Sequence, residues 1–406
     1  MNIAIIVRRL DRIGGVERQA LCLAKGLRER GHTVTLYTFF YNPEALFGGL
    51  RDVAPVVSLG ARQGALERFL LAVPLVSFFV MAYVDRRRSH ALALRIDRST
   101  EVLNPHDQVV YQVAHYYKTL VRDIPSVWTM DDLPTRAFTR YRDAACSGRS
   151  VGLLHRVVDR ALDAVAVLPF IPAQTAVAVL DERDKAWVRE QFGKDAVVVR
   201  PGADTAGFAY RARTAAGRPL RMLMAGIYFP HRRFEDGIRA LALLRERGIE
   251  ATLTIVGRSH AADPYVLRVR ALITQLGLES QVTLRGEVTE EELHALHSAA
   301  DAFVFASHLQ SWGIAVFEAM ASGTPVVVSR SAGASEVLTH GQTALLVKPL
   351  SPVQIADAAE ALAGDPALYG RLSAQGRAFV EGNLRWDTMV TQMEALLRSA
   401  SATYGH

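Results

Sequence analysis

Apolar residues run together in short blocks along this chain, and stretches with one apolar face separate the blocks. The first forty residues set the rhythm. NIAIIV (2–7) is a continuous apolar run, GGVERQALCLAKGLRERG (14–31) has helical spacing and stops at Gly31, and HTVTLYTF (32–39) is rich in β-branched and aromatic residues. A strand–helix–strand unit of this kind builds a parallel sheet, because parallel neighbours need a crossover. Further strands are expected at TEVLNP (100–105), PSVWTM (125–130), DAVAVL (163–168), TAVAVL (175–180) and DAVVVRPG (195–202). The helix DERDKAWVREQFG stops at Gly193 between the last two.

Residues 205–219, TAGFAYRARTAAGRP, have no convincing period and read as a linker. Alternation then resumes with strands at LRMLMAG, EATLTIVG, QVTLRG, DAFVFAS, TPVVVS and ALLVKP, separated by helical stretches. The pattern predicts an α/β protein of two doubly wound, Rossmann-like domains. The expected bounds are 1–205, a linker at 206–218, 219–382, and a last helical piece at 383–406. Ligands of such sheets bind outside the carboxyl ends of the strands, so the cleft between the domains is the expected site.

Length and composition agree with two cores: 406 residues, half of them apolar, are too many for one average domain. The two cysteines, Cys22 and Cys146, lack metal-ligand spacing and form no disulfide framework, as expected in a reducing cytosol. The N-terminal apolar run is too short for a signal peptide. A net charge of +6 favours anionic partners. Nucleic acid fits poorly, since no aromatic-plus-basic platform or zinc-finger spacing occurs. One segment stands apart: FLLAVPLVSFFVMAYV (69–84) is uncharged, contains Pro74 and precedes DRRR. At sixteen residues it is short for a membrane span, which needs about 20. It reads equally as a buried helix or as an interfacial helix with a basic edge.

Candidate chemistry lies where strands end. Gly14 and Gly15 follow the first strand and open a helix, where backbone can approach an anion closely. Arg232 and Arg233 follow LRMLMAG and have the geometry to neutralise a diphosphate. His106 follows TEVLNP, and a histidine there can orient or polarise an acceptor hydroxyl. Asp131 and Asp132 follow PSVWTM as candidates for an acceptor site, or as caps of the turn before Pro134. In HLQSWGIAVFEAMASGTPVVVS (308–329), Ser311 is a candidate N-cap and Gly323 a stop for a helix over 312–322. Its first amides, at Gly313 and Ile314, suit a phosphate, and Gln310 stands at that mouth. Glu318 lies about 9 Å further along the axis, inside an otherwise apolar segment.

QSWGIAVFEAMASGTPVV resembles the signature of the large retaining glycosyltransferase family 4, which has the GT-B fold. In that family the pattern is Glu-x7-Glu ending in EAMAxGxPVV; here Gln310 stands where the first glutamate is usual. GGVERQALCLAKGLRERGHTVTLYT, VVVRPGADTAGF, GEVTEEELHALHSAADAFVFAS and AGASEVLTHGQTALLV resemble further family segments in the same order. The resemblance implies that Glu318 holds the ribose of a nucleotide sugar and that position 310 meets the donor hexose. It also implies that amides near Gly313, Ile314 and Ala315 meet sugar or phosphate. Arg232 matches the family's basic residue on the diphosphate, and Ile227 stands where many members have another arginine, a loss for which Arg233 would compensate. Gly15 would approach donor phosphate or acceptor, His106 would lie near the reacting centre, and Glu287 and Val288 would lie by the base. No metal or other cofactor is expected, because arginine and helix dipoles stabilise the leaving diphosphate.

The expected activity is transfer of a hexose, with retention, from a nucleoside diphosphate sugar to a glycan or lipid-linked acceptor. It would serve cell-surface polysaccharide or glycolipid synthesis, in the cytoplasm or peripherally on the membrane's cytoplasmic face. A non-catalytic nucleotide-sugar binder and a GT-B epimerase are the alternatives. Glutamine for glutamate at 310 exchanges a charge-assisted hydrogen bond for a neutral one, roughly a factor of ten in binding or rate.

Overall fold

The computed structural model describes every residue except 13, 47, 61–73, 206, 209, 259–262 and 405–406, and it describes no side chains at 74–78. The chain divides into two compact units. The first comprises Met1–Thr139, Val151–Gly202 and the residues from Trp386 onwards; the second comprises Arg140–Ser150 and Ala203–Arg385.

Among the described residues, the first unit holds seven parallel strands: β1 (Asn2–Leu10), β2 (Thr33–Tyr41), β3 (Val56–Ser58), β4 (Val102–His106), β5 (Val127–Met130), β6 (Ala176–Val179) and β7 (Ala196–Val198). Their order is β3-β2-β1-β4-β5-β6-β7, so the order in which strands are added reverses between β1 and β4. Helices cover both faces, which is why β4 and β5 are buried along their whole length, and β1 from Ile3 to Val7, rather than at alternate positions. Helix Gly15–Glu29 packs Leu21, Ala24 and Leu27 into the core against β1 and β2. The helix Trp386–Ala402 joins that core through Met389, Val390, Met393 and Leu397.

The second unit repeats the design with β8 (Leu220–Ala225), β9 (Ala251–Val256), β10 (Val282–Arg285), β11 (Ala302–Phe305), β12 (Val326–Ser329) and β13 (Leu345–Val347). All pair parallel in the order β10-β9-β8-β11-β12-β13, with the reversal between β8 and β11. The stretch read as a linker is packed onto this unit. Phe208 is buried with its ring 4.1 Å from that of His294, and Arg213 holds the carbonyls of His297, Ser298 and Ala300.

Two expectations are corrected. DAVAVL (163–168) is not a strand: residues to 166 belong to helix Leu153–Ala166, and 168–170 form a 3-10 turn. The buried Asp163 carboxylate accepts from the amides of Arg136 and Ala137 at 2.8 and 3.1 Å, which fixes that helical register. The helix after β11 begins at Ile314, two residues later than expected, because Gly313 is its N-cap in a left-handed conformation (φ 94°). Ser311 Oγ caps nothing and is buried without a hydrogen-bond partner. Of the segment 69–84, residues 69–73 lie outside the described residues, and the rest belongs to helix Pro74–Ala93. Among the described residues no helix is long and apolar enough to cross a membrane.

One buried histidine gives a stability prediction. His297 is fully buried beside Phe208 and Phe303, both ring nitrogens lack partners, and burial pushes its pKa down to about 3. The unfolded chain therefore binds a proton there that the folded one does not. Its contribution is complete above pH 6.5 and is lost as pH falls towards 3, at about 1.4 kcal/mol per pH unit. His297→Phe is expected to flatten the stability–pH curve by that slope between about pH 6 and 4. Denaturant titrations across that range would show parallel curves for the two proteins if the idea is wrong.

Candidate active site

At the carboxyl end of the second sheet, the loops after β8 and β11 meet where the strand order reverses. Gly226, just past β8, has φ 152°, and a Cβ there would lie 3.2 Å from Arg232 Nε, so the Arg232 side chain lies over this glycine. Next along the sheet, a Cβ on Gly257 (φ 153°) would overlap the Gly226 carbonyl oxygen. Two glycines thus let the ends of β8 and β9 close together beneath an arginine.

After β11 the chain passes through His308 and Leu309 into Gln310–Trp312. Leu309 has φ 51°, an uncommon left-handed conformation for a leucine. The loop after β12 grips this stretch: Gly333 N donates to the carbonyls of Gln310 and Ser311 at 2.9 Å, and Ala334 N donates to Trp312 O at 2.9 Å. Gly313 is required sterically, since a Cβ would approach the Phe305 ring to 2.7 Å. The first bond of helix Ile314–Ala321 runs from Val316 N to Gly313 O (3.1 Å), so the amides of Gly313, Ile314 and Ala315 precede its hydrogen-bond ladder. Glu318 follows within that helix and is 7 % exposed.

The structure brings Arg232, Gln310, Gly313, Ile314, Ala315 and Glu318 to this one end of the sheet. Glu287 and Val288 stand at the same edge after β10, two strands from β8, before the capping box of Thr289 and Glu292. Arg233 does not fit its expected role. It has φ 58° and is buried, and four of its donor bonds are made: Nε and Nη2 to Asp236 at 2.9 and 2.7 Å, Nη1 to Glu235 at 2.9 Å and to the Cys146 carbonyl. The left-handed residue turns two adjacent arginines to different tasks, and Arg233 is a structural cation rather than a substitute for the arginine missing at Ile227.

His231 is the residue that sequence reasoning overlooked. Its ring is buried, stacks on Phe229 at 5.6 Å and hydrogen-bonds the Gln310 side chain, while its carbonyl accepts from His308 N at 2.7 Å. Burial, then the nearby Arg232 and Arg142, holds the imidazole well below its ordinary pKa; the Gln310 bond opposes this. Glutamine at 310 therefore matches a neutral histidine. No local signal announces this, because 79 positions separate the pair.

The first sheet's reversal point has the opposite character. His106 ends β4, fully buried, with Nε2 2.8 Å from Asn104 Oδ1. Asn104 Nδ2 donates to Val127 O and Thr129 Oγ1, so Oδ1 is an acceptor and Nε2 carries the proton. His106 Nδ1 is left a bare acceptor without a partner, and burial pushes the ring's pKa down to about 3. Asp107 follows with φ 69° and a pKa pushed up to about 6, chiefly by burial, with Asp132 and Glu17 adding. Asp131 is held well above the carboxylate range by burial and by Asp107 and Glu17, and its Oδ2 is buried without a partner. Glu17 also changes the reading of Gly15. Its buried carboxylate, 2.9 Å from Arg12 Nε, lies where a Cβ on Gly14 would go, so the helix start already faces an anion of the protein's own.

These two parallel sheets, each with its reversal point, define the GT-B fold. Sucrose-phosphate synthase from Thermosynechococcus elongatus superposes with a TM-score of 0.73 at 19% identity over 99% of both chains. Anabaena Alr3699/HepE in complex with UDP and glucose superposes at 0.71, with 18% identity over 98% of this chain and 99% of that one.

Residues 209–379 match the family described as glycosyl transferases group 1. A GDP-mannose-dependent alpha-(1-6)-phosphatidylinositol monomannoside mannosyltransferase of Mycobacterium tuberculosis is 31% identical over 217 residues, 50% of this chain and 55% of the relative. A D-inositol 3-phosphate glycosyltransferase of Pseudarthrobacter chlorophenolicus is 37% identical over 179 residues, 42% of each chain. The chain thus spans about half the length of these curated relatives.

Proposed function

We propose that this protein is a glycosyltransferase that moves a hexose from a nucleoside diphosphate sugar to a hydroxyl of a glycan or lipid-linked acceptor, with retention of configuration. The observation that carries the reading is the convergence of Arg232, the Gly313–Ala315 amides and Glu318 at the reversal point of the second sheet. Arg232 and the amides neutralise the diphosphate and stabilise it as it leaves, which needs no metal. Glu318 accepts from the ribose hydroxyls, and Gln310, fixed by His231, meets the sugar. Glu287 and Val288 lie beside the base. At the first sheet, His106 and the carboxyl groups of Asp131 and Asp132 receive the acceptor's hydroxyls. Retention follows if the leaving phosphate itself takes the acceptor's proton on the face it departs from.

The test begins with thermal shift against UDP-, GDP-, ADP- and dTDP-sugars, since a ligand of the native state raises stability by mass action. The names of the relatives make GDP-mannose the first donor to try. Transfer is then followed by mass spectrometry in the presence of a chelator, and the product's anomeric configuration by NMR. No shift with any nucleotide sugar would refute the reading; binding without turnover would leave a nucleotide-sugar binder, to which Gln310 and Ile227 lend support.

Gln310→Glu is the sharpest variant at the sugar end. It is expected to change the ratio of rates between competing donors by roughly tenfold, the difference between a neutral and a charged acceptor. The depressed His231 pKa implies stability that is complete above the ordinary histidine range and lost as pH falls. A carboxylate at 310 favours the imidazolium, so that acid-side loss shrinks in the variant. Unaltered donor preference together with an unaltered acid limb would remove position 310 from the site.

A further inference from the structure

Helix Leu153–Ala166 in the first unit is built inside out. Its buried face carries Asp159 and Asp163, while Leu153, Leu154, Val157 and Val165 are 75, 74, 57 and 61 % exposed. Polar contacts fix this register: Asp163 accepts from the Arg136 and Ala137 amides, and Asp159 lies 3.5 Å from Arg136 Nε. Rotating the helix to bury its leucines would break these bonds and strand two carboxylates, so the apolar face stays outward. Helix Pro74–Ala93 adjoins it, because Arg86 Nη2 donates to the Val165 carbonyl at 2.5 Å. That neighbour adds Met81 and Tyr83, 46 and 61 % exposed. Large exposed apolar side chains on two adjoining helices mark an interaction site.

We infer that these two helices form a docking face for an anionic lipid bilayer. The charges select that occupant. The acidic residues of both helices, Asp85, Asp159 and Asp163, are buried, with Asp85 3.3 Å from Arg8 Nη2. The exposed charges are cationic: Arg156 and Arg160 on one helix, and Arg87, over the Tyr83 ring at 5.8 Å, on the other. Apolar side chains that enter the acyl boundary, with arginines reaching the headgroups, make an interfacial helix pair. A second copy of the chain would bring like charges together, which disfavours a self-contact. None of the residues of this face is assigned to chemistry, so it stands or falls separately from the transferase reading.

The test is co-sedimentation of the full chain with vesicles of phosphatidylcholine, alone or mixed with phosphatidylglycerol, at low and high salt. The protein is expected to sediment with the mixed vesicles and to be released by salt. Leu154→Gln with Val157→Gln should weaken partitioning by roughly tenfold or more, and Arg156→Glu with Arg160→Glu by roughly fivefold or more per residue, with circular dichroism unchanged. Transfer to a water-soluble acceptor should survive in both variants. No partition to anionic vesicles, equal binding to neutral ones, or indifference to both variants would overturn the inference. So would a concentration-dependent dimer that the glutamine variant abolishes while vesicles are ignored.

Discussion

Glu318→Ala is expected to lower kcat/KM for the nucleotide sugar by roughly 10²–10³-fold, with most of the loss in KM. A carboxylate that accepts two ribose hydroxyls makes two charge-assisted bonds, each worth roughly 1.5–3 kcal/mol, and a tenfold change costs 1.36 kcal/mol. Removing the side chain also leaves a void beside the sugar that water fills poorly. Glu318→Gln keeps one acceptor oxygen and the packing, so its loss should be about tenfold. Loss of binding should appear directly as a vanished thermal shift with the donor. If the alanine variant binds and turns over as the parent does, the buried carboxylate is structural and the donor lies elsewhere.

Gly257→Ala should be among the most destabilising single changes in the second unit. A Cβ there overlaps the backbone oxygen of Gly226, and the φ of 153° is itself unfavourable for alanine. The ends of β8 and β9 would have to separate, at a cost of at least about 3 kcal/mol, since no flexible side chain can yield. For a unit of this size that lowers the melting temperature by about 6–12 °C. Donor affinity should fall as well, because Gly226 carries Arg232. Calorimetry settles the first claim; a melting temperature within a degree or two of the parent's contradicts the tight approach.

Much of this architecture could be read from residues whose message is local. NIAIIV and the Gly31 stop announced a parallel strand and its crossover, and EAMASGTPVV announced the helix and strand around Glu318. What stayed hidden depended on partners distant in sequence or on backbone rotation. DAVAVL alternates like a strand, yet Asp163 binds amides 26 and 27 residues earlier and holds it helical. Arg232 and Arg233 are chemically equivalent in the sequence; the left-handed turn at Arg233 separates them. Ser311 looks like a cap, but Gly313 alone can pass Phe305 and start the helix. The His231–Gln310 pair joins two loops that only the folded sheet brings together, so the glutamine looked like a deficit when it has a partner.

The helix Trp386–Ala402 joins the first unit late. It fills the core of the first unit, Val390 packs against Gly26, and Arg30 clamps it through Asp387, Thr391 and Glu394. Those seventeen residues leave the ribosome after the whole of Ala203–Arg385 has been made. Until then, helix Gly15–Glu29 carries an apolar flank with nothing to cover it, through the synthesis of an entire second sheet. Such a flank is a ready target for chaperones and a hazard for aggregation in a growing chain. In biosynthesis, the unit that is begun first is the one completed last.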